Sequence, residues 1–118
     1  MNVYRGISPD HPAYAVALIG RAYPRGWADP AAHEDIEAHV AGNTHSKFMS
    51  WTWVKAVAIG FARGADGSLG VVLRTEVAQE SVIFTEDVVG AFFNEAEVLL
   101  STPVLDARVL QPPDYHED

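Results

Sequence analysis

Hydrophobic and polar residues follow two different periods along this chain, and each period predicts one kind of element. Runs rich in β-branched and aromatic residues predict strands over residues 3–7, 46–52, 69–77, 81–84, 97–101 and 104–110. Between the second and third runs, Val54, Val57 and Phe61 recur at intervals of three and four residues. That spacing predicts an amphipathic helix over residues 53–63.

The remaining helix signals lie in the first half of the chain. Apolar residues recur at helical spacing over residues 11–22, which predicts a short helix there. Asp29-Pro30 has the chemistry of an N-cap followed by a first helical residue. A second helix is therefore predicted from this point to Gly42-Asn43, where glycine and asparagine favour a helix end.

Two segments carry weaker signals. Residues 85–94 show no clean period and are predicted to form a loop or a short helical turn. The tail, residues 111–118, is rich in proline and acidic residues and is predicted to be poorly ordered. Strands spread along the whole chain, with helices gathered in the first half, predict an α+β fold.

Length and composition narrow the class of protein. A chain of 118 residues is expected to form one domain, 1–118. It has no apolar run of the roughly 20 residues needed to cross a bilayer and no visible signal peptide. The absence of cysteine excludes disulfides and thiolate chemistry. The net charge of −8 opposes non-specific attraction to nucleic acid or anionic lipid, and slightly favours a basic partner such as an inhibitor protein.

Two carboxylates open the predicted strand 97–101. Glu95 and Glu97 are two residues apart, so an extended backbone points both side chains to the same side of a sheet. Like charges held close disfavour each other. Such a pair at a strand edge usually forms a solvated face. A chemical role therefore depends on other motifs in the chain.

Two further stretches supply those motifs. Arg5 stands in the sequence Val-Tyr-Arg-Gly on the first predicted strand, and Ser50-Trp51-Thr52 precedes the predicted helix 53–63. With Glu95-Ala96-Glu97, this order resembles the mono-ADP-ribosyltransferase family of the cholera-toxin type, over about residues 3 to 101. The sequence departs from the family pattern at Trp51, where threonine is usual, and at Thr52, where serine is usual.

The resemblance implies a fold and an activity. The expected fold is two packed, mostly antiparallel β-sheets around an NAD cleft, with short flanking helices. The expected activity is transfer of ADP-ribose from NAD, used as a co-substrate, to a macromolecular acceptor. By this resemblance Glu97 stabilises the positive charge that develops when nicotinamide leaves, and Glu95 positions the acceptor nucleophile.

The same resemblance assigns the binding residues. Arg5 and Gly6 would contact NAD, the first through a charged planar fork and the second through close backbone approach. Ser50 and Thr52 would support the cleft, with the Ser50 hydroxyl bonding the strand that carries Glu97. Phe92 and Phe93 would lie in the loop that recognises the acceptor. Each residue also has a simpler reading as an ion pair, a strand end or core.

The acceptor and the biological setting stay open at this stage. A Glu at position 95 implies transfer to a protein arginine, while RNA or DNA is an alternative that the net charge disfavours. So small a catalytic domain is expected to be a bacterial toxin or effector domain that a larger carrier delivers into the target-cell cytoplasm. Hydrolysis of NAD without an acceptor and a catalytically inactive binding module of the same fold are the alternatives.

A metal site is not expected. His33, His39 and His45 recur every six residues, which does not align them on one helical face, and no ligand cluster accompanies them.

Overall fold

An antiparallel sheet carries the fold in the computed structural model, which describes residues 1–89 and 96–116. Within these ranges the sheet has six strands in the order β4-β5-β2-β1-β3-β6. The strands are β1 (Asn2–Ile7), β2 (Met49–Thr52), β3 (Val71–Glu76), β4 (Ile83–Phe84), β5 (Glu97–Leu100) and β6 (Arg108–Leu110). The predicted α+β class is confirmed, because four short helices accompany this sheet in the described residues.

The helices are α1 (Tyr14–Ala17), α2 (Ile36–Val40), α3 (Lys55–Phe61) and α4 (Thr85–Val89), and a 3₁₀ turn covers Gln79–Ser81. Of these, α3 matches its prediction most closely, since its apolar spacing is unbroken. In the part of the chain that the structure describes, no helix is both long and apolar enough to cross a bilayer.

The second predicted helix exists, but its predicted start at Asp29 is wrong. Asp29 accepts a hydrogen bond from the Ala31 amide at 2.9 Å and closes only a local turn. Helix α2 instead begins after Asp35, whose Oδ1 accepts a hydrogen bond from the Ala38 amide at 3.1 Å. Both aspartates have N-cap chemistry, and the sequence alone did not distinguish the cap of a turn from the cap of a helix.

The strands form one sheet and not the two packed sheets that were expected. Strand β1 lies in the middle and pairs with β3 along its whole length, from Asn2↔Glu76 to Ile7↔Val71. On its other side, β1 pairs with β2 at Tyr4↔Thr52, the one pair in register within the described residues. This single pair joins the two halves of the sheet, and the strands part beyond it.

Each face of the sheet buries its own cluster. One face holds the larger core, where Val3, Trp51, Leu73 and Val98 pack together; Trp51 is only 2% exposed. On the opposite face, α3 packs against the sheet through a smaller cluster, whose buried members are Ala58, Ala62, Val72, Leu110 and Tyr115. The alternation of a strand therefore sends Trp51 to the core and its neighbours Ser50 and Thr52 to the α3 side.

The tail is held to the sheet as far as the structure describes it. Although residues 111–118 are predicted to be poorly ordered, Tyr115 is 2% exposed. Its hydroxyl donates a hydrogen bond to the Gly70 carbonyl oxygen at 3.1 Å. An aromatic ring that is buried and also donates a hydrogen bond anchors the chain locally, which the proline-rich composition concealed.

Replacing Gly6 with alanine is expected to destabilise the fold by about 1–3 kcal/mol, because overpacking forces a shift. A Cβ at this position would overlap the Ala58 carbonyl oxygen and would lie 2.8 Å from the Ala62 nitrogen, so α3 would have to move away from β1. Urea denaturation at neutral pH measures the change in the free energy of unfolding.

The matched control is Gly60→Ala, in helix α3, against which Gly6 packs. A Cβ at Gly60 meets no atom within 4 Å, so the substitution should stabilise the protein by about 0.5–1 kcal/mol through helix propensity. Equal effects at the two positions would show that the contact between Gly6 and α3 is not tight.

Candidate functional site

A cavity of about 1000 Å³ opens where β1 and β2 part. Its walls include the predicted site residues that fall in the described ranges, namely Arg5, Gly6, Ser50, Thr52 and Glu97. These residues come from three strands that are widely separated in the sequence. The structure therefore brings the beginning, middle and end of the chain together around one space.

Glu97 is positioned by strand pairing. It is the first residue of β5 and lies opposite Thr52 in the ladder, while Thr52 lies opposite Tyr4. Residues directly opposite each other share a face, so these three side chains form a row across the sheet. The backbone is fixed from the other side, since the buried Thr85 hydroxyl donates a hydrogen bond to the Glu97 carbonyl oxygen at 3.2 Å.

Arg5 crosses the gap between the parting strands. Its Nη1 donates a hydrogen bond to the Ser50 carbonyl oxygen at 2.7 Å. Burial lowers the pKa of Arg5 to about 10, which leaves the guanidinium charged at neutral pH. The bond occupies a strand carbonyl that a longer ladder would have paired, and it holds a positive charge at the cavity wall.

Gly6 and Thr52 hold helix α3 beside the cavity. Gly6 has no side chain because the backbone of α3 occupies that space, at Ala58 and Ala62. The Thr52 hydroxyl accepts a hydrogen bond from the Val54 amide at 3.1 Å, just ahead of the helix. Both residues line the cavity, and the contacts that the structure shows for them place one of its walls.

The sequence analysis missed His39 as a site residue. This side chain is 5% exposed, lies in α2 and lines the cavity. Its Nε2 lies 3.0 Å from the Ser50 hydroxyl oxygen, and its Nδ1 lies 2.6 Å from that of Ser46. No local pattern reveals this contact, because a loop separates α2 from β2 and the loop's path decides which residues meet.

The cavity wall carries charges of both signs. Arg5 and Arg25 supply positive charge, and Glu97 is the one carboxylate among the described lining residues; His11 also lines the cavity. Desolvation lowers the pKa of His11, and the charges of Arg5 and Arg25 lower it further against the opposing effect of Asp10. A cationic wall in a chain of net charge −8 suits an anionic ligand.

Neither arginine of this wall is neutralised by an ion pair that the structure describes. The ion pair found within residues 1–89 and 96–116 joins His45 and Asp29 at 2.7 Å, and neither residue lines the cavity. Arg25 donates a hydrogen bond to the Thr44 hydroxyl at 3.2 Å, which orients the guanidinium without cancelling its charge.

Three predicted site residues, Glu95, Phe92 and Phe93, lie outside the described residues. Ala96, which follows Glu95 in the sequence, lines the cavity. The described part of the chain contains no group of three or more histidine, aspartate or glutamate side chains placed to hold a metal ion.

No protein-family model matches the chain, and no curated protein matches it.

The free energy of unfolding is expected to decrease as the pH is lowered, because of the titration of His39. Burial is the main cause that lowers the pKa of His39 below 6.5; Glu97 raises it, while His33 and Arg5 lower it. As the pH falls, the unfolded chain takes up the proton first. The contribution is therefore complete above about pH 6.5 and is lost as the pH falls through the folded-state pKa.

The comparison is with His39→Gln, which cannot titrate. Between about pH 7 and pH 5, the urea midpoint of the wild type should fall more steeply than that of the variant. Parallel profiles would mean that His39 is as accessible to protons in the folded protein as in the unfolded chain.

Proposed function

We propose that this chain is an NAD-dependent mono-ADP-ribosyltransferase. The observation that carries the proposal is the meeting of Arg5, Ser50 and Glu97, from three different strands, at the wall of one cavity. The family pattern uses these residue types in this order around NAD. A volume of about 1000 Å³ is at the upper end for ligand sites, as a dinucleotide requires.

The charges of the cavity support a dinucleotide. NAD carries a diphosphate, and Arg5 and Arg25 are cations that no described carboxylate pairs. A guanidinium can bind two phosphate oxygens at once, which fixes the orientation of the ligand as well as its affinity. With the diphosphate near the arginines, the nicotinamide end of the molecule would lie toward Glu97.

Glu97 would act on the bond that breaks. The bond between the nicotinamide nitrogen and the ribose anomeric carbon opens, and its electron pair leaves with nicotinamide. The carbon becomes oxocarbenium-like and positive, and a nearby carboxylate stabilises that charge more than it stabilises the ground state. An acceptor nucleophile then bonds to the same carbon and loses its proton.

The family pattern assigns the acceptor step to Glu95, with Phe92 and Phe93 as contacts for the acceptor. The proposed acceptor is a protein arginine, with RNA or DNA as the alternative, and the proposed setting is a bacterial effector domain delivered by a carrier. Hydrolysis of NAD needs the same residues and differs in that water attacks the ribose carbon. Incubation of labelled NAD with lysate separates the two reactions, because only transfer attaches the label to a macromolecule.

Trp51 does not displace the hydroxyls that flank it. The side chain packs in the core with Val3 and Val98, so strand alternation leaves Ser50 and Thr52 on the α3 side of the sheet. This arrangement favours an active enzyme over an inactive binding module, because the departure from the family pattern lies at a position whose side chain the core absorbs.

Glu97→Gln is expected to lower nicotinamide release from NAD by a factor of about 10²–10³. The amide keeps the size of the side chain but removes the negative charge that stabilises the transition state. Chromatography of released nicotinamide measures the rate, with the exposed Glu76 of β3 as control, since Glu76→Gln should leave it unchanged. A wild type that releases no nicotinamide and transfers no label contradicts the proposal.

Arg25→Gln is expected to raise the KM for NAD about tenfold with little change in kcat, because a lost charge-assisted contact weakens ground-state and transition-state binding alike. Raising the salt concentration should increase the KM for NAD of the wild type more than that of the variant, because salt screens the charge that the variant lacks. The control is Arg21→Gln, an exposed arginine of the same segment outside the cavity lining. Equal KM values for both variants would remove Arg25 from the binding surface.

A further inference from the structure

A buried chain of hydrogen bonds ends at the Ser50 hydroxyl. It begins at Ser46, which is fully buried, passes through the imidazole of His39 and reaches Ser50 at the cavity wall. The chain connects α2 to β2 and runs from the protein interior to the site. None of the predicted site residues except Ser50 takes part in these contacts.

The distances around Ser46 show where its single hydroxyl proton points. The Phe48 amide donates a hydrogen bond to the Ser46 hydroxyl oxygen at 3.1 Å, so the Ser46 proton does not point toward that amide. The Phe48 carbonyl oxygen lies 3.4 Å from the Ser46 oxygen, which is long for a hydrogen bond, whereas His39 Nδ1 lies at 2.6 Å. The hydroxyl therefore donates to Nδ1.

This assignment fixes the tautomer of His39. A neutral imidazole carries one proton, and since Nδ1 accepts, the proton is on Nε2. Nε2 then donates to the Ser50 oxygen, and their separation of 3.0 Å is typical of an N–H···O bond. The hydroxyl proton of Ser50 is consequently directed away from His39.

The surroundings keep the imidazole neutral. Burial lowers the pKa of His39, which outweighs the raising effect of Glu97. The charges of Arg5 and His33 also lower it. The Phe48 ring lies roughly perpendicular to the imidazole, with 6.1 Å between the ring centroids, and adds an apolar neighbour.

We propose that His39 is a positioning residue that keeps the Ser50 hydroxyl as a hydrogen-bond donor toward an oxygen acceptor in the cavity. The inference rests on the proposed function, since this hydrogen-bond acceptor would lie in the site where NAD is proposed to bind. Without this contact the serine hydroxyl could rotate and could also accept a hydrogen bond from a ligand. His39 orients the Ser50 hydroxyl and does not contact the reacting atoms.

The first test reads the tautomer without any activity. Nitrogen-15 NMR of the histidine rings at neutral pH should show His39 protonated at Nε2 and bare at Nδ1. In Ser46→Ala, which removes the donor to Nδ1, the two tautomers should become mixed. A wild-type His39 protonated at Nδ1 overturns the proposal, as does a Ser46→Ala spectrum with the Nε2–H form unchanged.

The second test compares two amides of different length. In His39→Gln the amide nitrogen can take the place of Nε2 and donate to Ser50, whereas in His39→Asn it falls short. The glutamine variant should keep most of its kcat/KM, and the asparagine variant should lose about tenfold, as loss of one hydrogen bond predicts. Thermal melting shows that both variants are folded at the assay temperature.

The control is His45→Gln, an exposed histidine outside the cavity, which should leave kcat/KM unchanged. Equal losses in the glutamine and asparagine variants overturn the positioning role. If the wild type itself releases no nicotinamide, the proposed function fails while the NMR result still decides the hydrogen-bond assignment. The affinity for NAD measured by calorimetry then replaces kcat/KM in the comparison of the two amides.

Discussion

The hydrogen bond from Arg5 to the Ser50 carbonyl oxygen is the contact on which the site depends. Strands β1 and β2 pair at Tyr4↔Thr52 and then part, which leaves backbone groups of β2 to be satisfied by other means. A guanidinium at 2.7 Å satisfies one of them and at the same time holds a charge beside the gap. The sheet thus stays continuous while it opens wide enough for a large ligand.

The other walls follow from close packing around that opening. Gly6 lets α3 approach β1 at backbone distance, and the Thr52 hydroxyl holds the residue that leads into the helix. On the far side, α2 contributes His39 to Ser50. Backbone contacts and buried hydrogen bonds restrict the conformations of the side chains that line the cavity.

Much of the fold could be predicted from the sequence, since local period is enough to locate α3 and most strands. The helix start assigned to Asp29 was wrong, because both Asp29 and Asp35 have N-cap chemistry and tertiary contacts decide which of them begins a helix. The resemblance implied two sheets where the described strands form one, and the strand signals could not correct it, because local sequence does not decide which strands pair. The motifs predicted that Arg5, Ser50 and Glu97 meet, and these residues do line one cavity, whereas His39 could not be predicted, since its partner lies across a loop.

Strand β1 precedes the other described strands in the sequence and lies in the interior of the sheet, between β2 and β3. Its partners come tens of residues later, so most of the chain must be synthesised before the sheet can close, and such long-range pairing is slow. An N-terminal fragment ending before β5 would contain Arg5 and Ser50 but lack Glu97. The cavity wall that joins Arg5, Ser50 and Glu97 would therefore be complete only once β5 has paired with β2.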